Sequence, residues 1–143
     1  MAKTATAQRA EHPRQETSRS AHGSFHWNEL VTQDVERAKA FYGATLGWSF
    51  EAMPMPEAAT YWVAKAGGQP VGGMFDTRGR GCESASEGWL PYIAVDDVDM
   101  RVARAVAAGA KVVKAPFDVP GVGRIAVLQA PGGAGIGWIT PAG

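Results

Sequence analysis

The chain repeats itself at an offset of 63 residues, with Asp34 answering to Asp97 and Val35 to Val98. In the first copy Phe25 to Val31 reads as a strand, Thr32-Gln33-Asp34 turns the chain, and a helix runs from Val35 to about Thr45 and stops at Gly47. In the second, Trp89 to Val95 is the strand, Asp96-Asp97 the turn, and the helix runs from Val98 to about Ala108 and stops at Gly109. Each aspartate can accept hydrogen bonds from the unpaired amides of the first helical turn, and each glycine suits the left-handed position that ends a helix. The apolar spacings agree: Val35, Ala38, Phe41, Tyr42 and Leu46 against Val98, Val102, Ala105 and Val106, all at i, i+3 or i+4. Three short strands follow each helix. They are Trp48–Met53, Tyr61–Lys65 and Pro70–Phe75, then Lys111–Lys114, Gly123–Gln129 and Gly135–Thr140, separated by Pro and Gly turns. Each half is β-α-β-β-β. A half of about 55 residues cannot bury a helix and a sheet alone, so the halves should pack into one compact α+β domain.

This pattern sets the boundaries: a tail at 1–22, a first module at 23–76, a linker at 77–88 and a second module at 89–143. The tail has no aromatic residue and no Leu, Ile or Val. It cannot offset its ordering entropy and is expected to be disordered, with a weakly basic arm as the competing reading. The linker is polar and glycine-rich. Arg78 and Arg80 within it read as solvated charges rather than an anion clamp.

Charge narrows the function classes. Fourteen basic residues balance fourteen acidic ones, which argues against a nucleic-acid protein. No apolar run approaches the ~20 residues of a membrane span, and no signal-peptide stretch is visible, so a cytoplasmic protein is expected. The lone Cys82 fits a reducing compartment, excludes a cysteine-rich zinc cluster, and is expected to be an inert exposed thiol. Gly67-Gly68 and Gly132-Gly133 open no helix and read as hairpin turns, not phosphate loops.

The run Phe25-His26-Trp27-Asn28-Glu29-Leu30, with Asp34 to Tyr42 and Leu46-Gly47-Trp48, resembles the opening of a vicinal oxygen chelate module of the glyoxalase/bleomycin resistance protein/extradiol dioxygenase superfamily. Trp89 to Val98 resembles the second module's opening. Pro116 to Arg124 and Pro131-Gly132-Gly133 resemble its closing hairpin. The resemblance covers residues 24–141 and implies two tandem βαβββ modules forming a curved sheet cup with the helices outside. It also implies C2 homodimers, which would pair otherwise open strand edges.

Metal enzymes of that superfamily hold a divalent ion with His, Glu or Gln on the first and last strands of each module. Those positions carry over to Trp27, Gly73 (Gly72 after a one-residue slip), Leu90 and Gly137. An indole, two glycines and a leucine offer no lone pair to a cation, so neither a metal nor any other cofactor is expected. His26 alternates to the face away from Trp27 and reads as a surface or packing residue.

Trp27, Glu29 and Val31 share one face of the first strand, and Leu90, Tyr92 and Ala94 share the matching face of the fifth. A carboxylate among Trp27, Leu90 and Tyr92, with Trp62 or Trp138 beside them, would be desolvated, as suits a general base or a ligand acceptor. The competing reading pairs Glu29 with Arg124 as a structural bridge; a further reading has Arg124 clamp a substrate carboxylate. Trp48 reads as core, and Met53-Pro54-Met55-Pro56 as loop packing or a lid. Trp27, Trp62, Leu90, Tyr92, Arg124 and Trp138 are thus the expected ligand contacts around Glu29. The leading function is metal-independent binding of a small apolar or aromatic molecule, without nucleic acid or membrane partners. The alternative is an isomerase, lyase or hydrolase that uses Glu29 as its catalytic acid or base.

Overall fold

The computed structural model describes residues 21–54, 60–78 and 87–142. The expectations for residues 1–20, for Met55-Pro56, for Arg80 and for Cys82 lie outside them. The elements run β1 (Phe25–Thr32), α1 (Val35–Leu46), β2 (Ser49–Pro54), β3 (Thr60–Ala66), β4 (Gln69–Asp76), β5 (Gly88–Ala94), α2 (Val98–Ala107), β6 (Lys111–Val119), β7 (Gly123–Gln129) and β8 (Gly135–Pro141). This is the doubled βαβββ order of an α+β fold.

Both helix starts follow from their aspartates. Asp34 Oδ1 accepts from the Arg37 amide at 3.0 Å, and Asp97 Oδ1 accepts from the Met100 amide at 3.1 Å. Helix α1 ends on Gly47 at φ 73°, whose amide bonds the Gly43 carbonyl, a conformation that needs no Cβ.

The chain forms two compact units, one of Trp27–Tyr92 with Gly135–Gly137, the other of the remaining residues. Within the first unit β3 pairs antiparallel with β2 and β4, and β4 runs parallel to β1. Leu30, Val35, Ala64 and Met74 are buried there, where α1 packs on β4. In the second unit β7 pairs antiparallel with β6, and α2 packs over both strands. Val98, Val102, Ala126, Leu128 and Ile139 form its core. His22 also belongs here; its Nδ1 accepts from the Asp96 amide at 3.0 Å.

Strand β6 is longer than the expected Lys111–Lys114 and continues through Pro116 to Val119. Its register with β7 shifts twice, between Val112 and Lys114 and between Lys114 and Phe117. Such irregularities accommodate Pro116, which has no N–H for a regular ladder. Trp48 also departs from expectation. It is half-buried, stacked on Tyr42 at 5.3 Å between ring centres and met edge-on by Trp89 at 6.0 Å. Exposed-side aromatics can satisfy one another in this way without entering the core.

Candidate active site

Cross-strand register decides which side chains share a face, because paired residues project to the same side of a sheet. Glu29 stands opposite Gly73, and Gly73 opposite Val63. The next row, Leu30, Met74 and Trp62, lies on the other side, where Leu30 and Met74 are buried. The following row, Val31, Phe75 and Tyr61, returns to the Glu29 side.

Three side chains on that side are linked. Trp27 Nε1 donates to Tyr61 Oη at 2.9 Å, and Tyr61 Oη donates to Glu29 Oε1 at 3.2 Å. The shared tyrosine confirms that Trp27 and Glu29 face one way. Burial pushes the Glu29 carboxyl up to about 7, against the lowering effect of the Tyr61 hydrogen bond. Burial and the Glu29 charge push Tyr61 up, and the same two causes push Tyr92 up. Both phenols therefore remain protonated through the neutral range. Tyr92 joins the site from β5, buried at 6% exposure, and Leu90 lies on the same face of that strand by alternation.

Tyr61 carries no role in the sequence reading. Its signal was Gly73: a Cβ there would overlap the Tyr61 hydroxyl. Gly137 repeats the device, since a Cβ there would overlap ring carbons of Tyr92. At two of the four superfamily metal positions a tyrosine thus fills the volume a ligating side chain would need. Trp27 and Leu90 hold the other two. The donor set does not fit a divalent cation, and among the described residues no three His, Cys, Asp or Glu side chains converge.

Other expected contacts fall elsewhere. Trp62 lies in the helix-side row, with Lys39 Nζ 3.3 Å from its ring centre, so it is not part of the Glu29 face; a cation held over an indole fixes it there. Alternation puts Trp138 on the side of β8 opposite Gly137, the residue that receives the Tyr92 ring. Arg124 is not the partner of Glu29. Its guanidinium pairs with Asp99 at 3.0 Å and Asp118 at 3.3 Å, because β7 turns it toward α2. His26 is half-buried, and burial lowers its pKa. In the linker Arg78 pairs with Asp76 at 3.1 Å.

A cleft of about 830 Å³ lies on the helix side of the same unit, walled in part by Arg37, Phe41, Tyr42 and Trp89. Its carboxylates are already engaged: Asp34 caps α1, and Glu87 accepts from the Thr32 hydroxyl and the Gln33 amide. The Glu29 face, with a desolvated carboxyl and two phenols, has the stronger chemistry.

Comparison with known proteins bears on the family and the fold. The family described as "Bleomycin resistance protein-like N-terminal" matches residues 25–61. The "Putative glyoxylase CFP32" of Mycobacterium bovis is 41% identical over 120 residues, covering 84% of this chain and 45% of the relative. The "Anthracycline biosynthesis protein DnrV" of Streptomyces peucetius is 33% identical over 128 residues, covering 82% of this chain and 46% of the relative. The chain therefore spans under half the length of these relatives. Among solved structures, Streptomyces coelicolor methylmalonyl-CoA epimerase matches with a TM-score of 0.59 at 18% identity, covering 86% of this chain and 100% of the other. A hypothetical protein from Bacillus halodurans matches with a TM-score of 0.62 at 11% identity, covering 86% and 97%. At such identities the structural likeness speaks for the fold.

Proposed function

Because this chain belongs to the vicinal oxygen chelate superfamily, we propose that it binds a small apolar or aromatic molecule on the Glu29 face without a metal ion. The observation that carries this reading is the linked set Trp27–Tyr61–Glu29, with tyrosines seated over Gly73 and Gly137. The indole and Leu90 supply apolar surface, and the carboxyl supplies one strong polar anchor. Apolar walls with few polar groups are the usual composition of small-ligand sites.

The test is titration of chelator-treated protein with naphthalene-sized aromatic compounds, followed by calorimetry. Saturable binding indifferent to EDTA is expected, weakened roughly tenfold or more in Trp27→Ala by the loss of aromatic contact. A requirement for added Zn, Ni, Mn or Fe, or one equivalent of tightly held metal in the purified protein, would overturn the proposal.

A second reading has its own observation, the carboxyl held near 7. That value suits a general acid or base at neutral pH, and the relative named as a glyoxylase makes enzyme activity plausible. In this reading Glu29 moves a proton on a bound small molecule, as an isomerase, lyase or hydrolase would. Glu29-dependent exchange of a ligand hydrogen with D2O, absent in Glu29→Gln, would select it over simple binding.

We also propose a homodimer. Open strand edges on two copies of the chain would pair with one another, which is favoured over leaving them exposed. Sedimentation should give about twice 15.1 kDa; a monomer at all concentrations would exclude it.

A further inference from the structure

The polar valences of the Glu29 face can be counted atom by atom. Tyr61 Oη has spent its hydrogen on Glu29 Oε1 and accepts the Trp27 indole N–H. The Trp27 donor is likewise spent. Among the described residues two groups remain: the second oxygen of Glu29 and the hydroxyl of Tyr92.

Tyr92 is the more informative of the two. It is 6% exposed, its ring is pinned against Gly137, and its strand β5 is the neighbour of β1, which carries Glu29, in the sheet. Yet among the described residues its hydroxyl makes no hydrogen bond, although buried tyrosine hydroxyls normally find a partner. A donor and an acceptor are thus left open on one apolar face.

From this pairing we infer that the site selects neutral, hydroxyl-bearing apolar or aromatic molecules, one hydroxyl of the ligand donating to Glu29 while its oxygen accepts from Tyr92. A hydroxyl carries one donor and two acceptor lone pairs, so a single group can satisfy both. An ether or a ketone would accept from Tyr92 but leave Glu29 without a donor. A carboxylate would set a like charge against Glu29 in a desolvated site. The inference rests on the proposed binding function of this face and adds the chemical class of its ligand.

The experiment compares three probes of one shape by calorimetry at pH 8: 2-naphthol, 2-methoxynaphthalene and 2-naphthoate. The wild-type protein should bind 2-naphthol roughly tenfold or more tighter than its methyl ether, the value of one hydrogen bond to a charged acceptor. It should bind 2-naphthoate most weakly. Tyr92→Phe should weaken 2-naphthol severalfold and bring it closer to the ether, at an unchanged melting temperature. Equal binding of naphthol and ether by the wild-type protein would overturn the ligand class while leaving apolar binding on this face intact. Tight binding of 2-naphthoate would overturn it as well. If none of the three bound, the proposed function itself would fall, and the ligand class with it. The wild-type comparison needs no variant, so the outcome does not depend on how Tyr92→Phe folds.

Discussion

Glu29→Gln should make the protein more stable at pH 8 by up to about 3 kcal/mol and change it little near pH 4. Burial raises the Glu29 carboxyl from 4.5 to about 7, so the folded chain holds this proton more tightly than the unfolded chain does. The resulting stabilisation is fully present below about 4.5 and is lost as pH rises through about 7. Each pKa unit corresponds to about 1.4 kcal/mol, which sets the ceiling. Glutamine keeps the size, still accepts from Tyr61, and does not titrate. Denaturant unfolding of both proteins at pH 4 and pH 8 measures the difference. A variant less stable than wild type at pH 8 would mean that the ionised carboxylate is compensated, as the expected pairing with Arg124 would have required. The engagement of Arg124 by Asp99 and Asp118 removes that compensation. A protein that tolerates such a cost in its working range is consistent with a site kept for binding or chemistry rather than for stability.

Gly137→Ala should destabilise the fold by roughly 3 kcal/mol, toward the upper end for overpacking. The new methyl would occupy the same space as the Tyr92 ring, and Tyr92, at 6% exposure, has no solvent to swing into. Gly135→Ala on the same strand is the control. Its Cβ would stand 3.5 Å from Leu90 Cδ1, an ordinary contact, and it should cost less than about 1 kcal/mol. Equal effects at the two positions, read by urea unfolding, would show that the ring over Gly137 is free to move.

The parts of the molecule written locally in the sequence were legible from it. The doubled βαβββ order, both helices and both aspartate caps depend on contacts within a few residues. The shared facing of Trp27 and Glu29 depends only on strand alternation. The rest depends on distant partners. Arg124 reads as a possible mate for Glu29 until α2 brings Asp99 beside it. Trp62 reads as a site residue until Lys39 of α1 lies over its ring. Trp138 could be excluded by alternation alone, being adjacent to Gly137. Tyr61 was hidden for a different reason: its importance comes from an absence on the neighbouring strand, the missing side chain of Gly73. A glycine within a strand, where it weakens the ladder, is a sign that something approaches closely.

The irregular β6 bears on how the protein avoids sticking to itself. Within its unit β6 pairs with β7, and its first five residues are exposed, Val113 at 66%. A regular apolar border would be a template for runaway strand addition between molecules. Two register breaks, a proline with no amide to offer, and the charges of Lys111 and Lys114 interrupt it. The same distortions that hide this strand's length from the sequence thus act as a guard against fibrillar growth, leaving the border open to solvent but a poor seed for further strands.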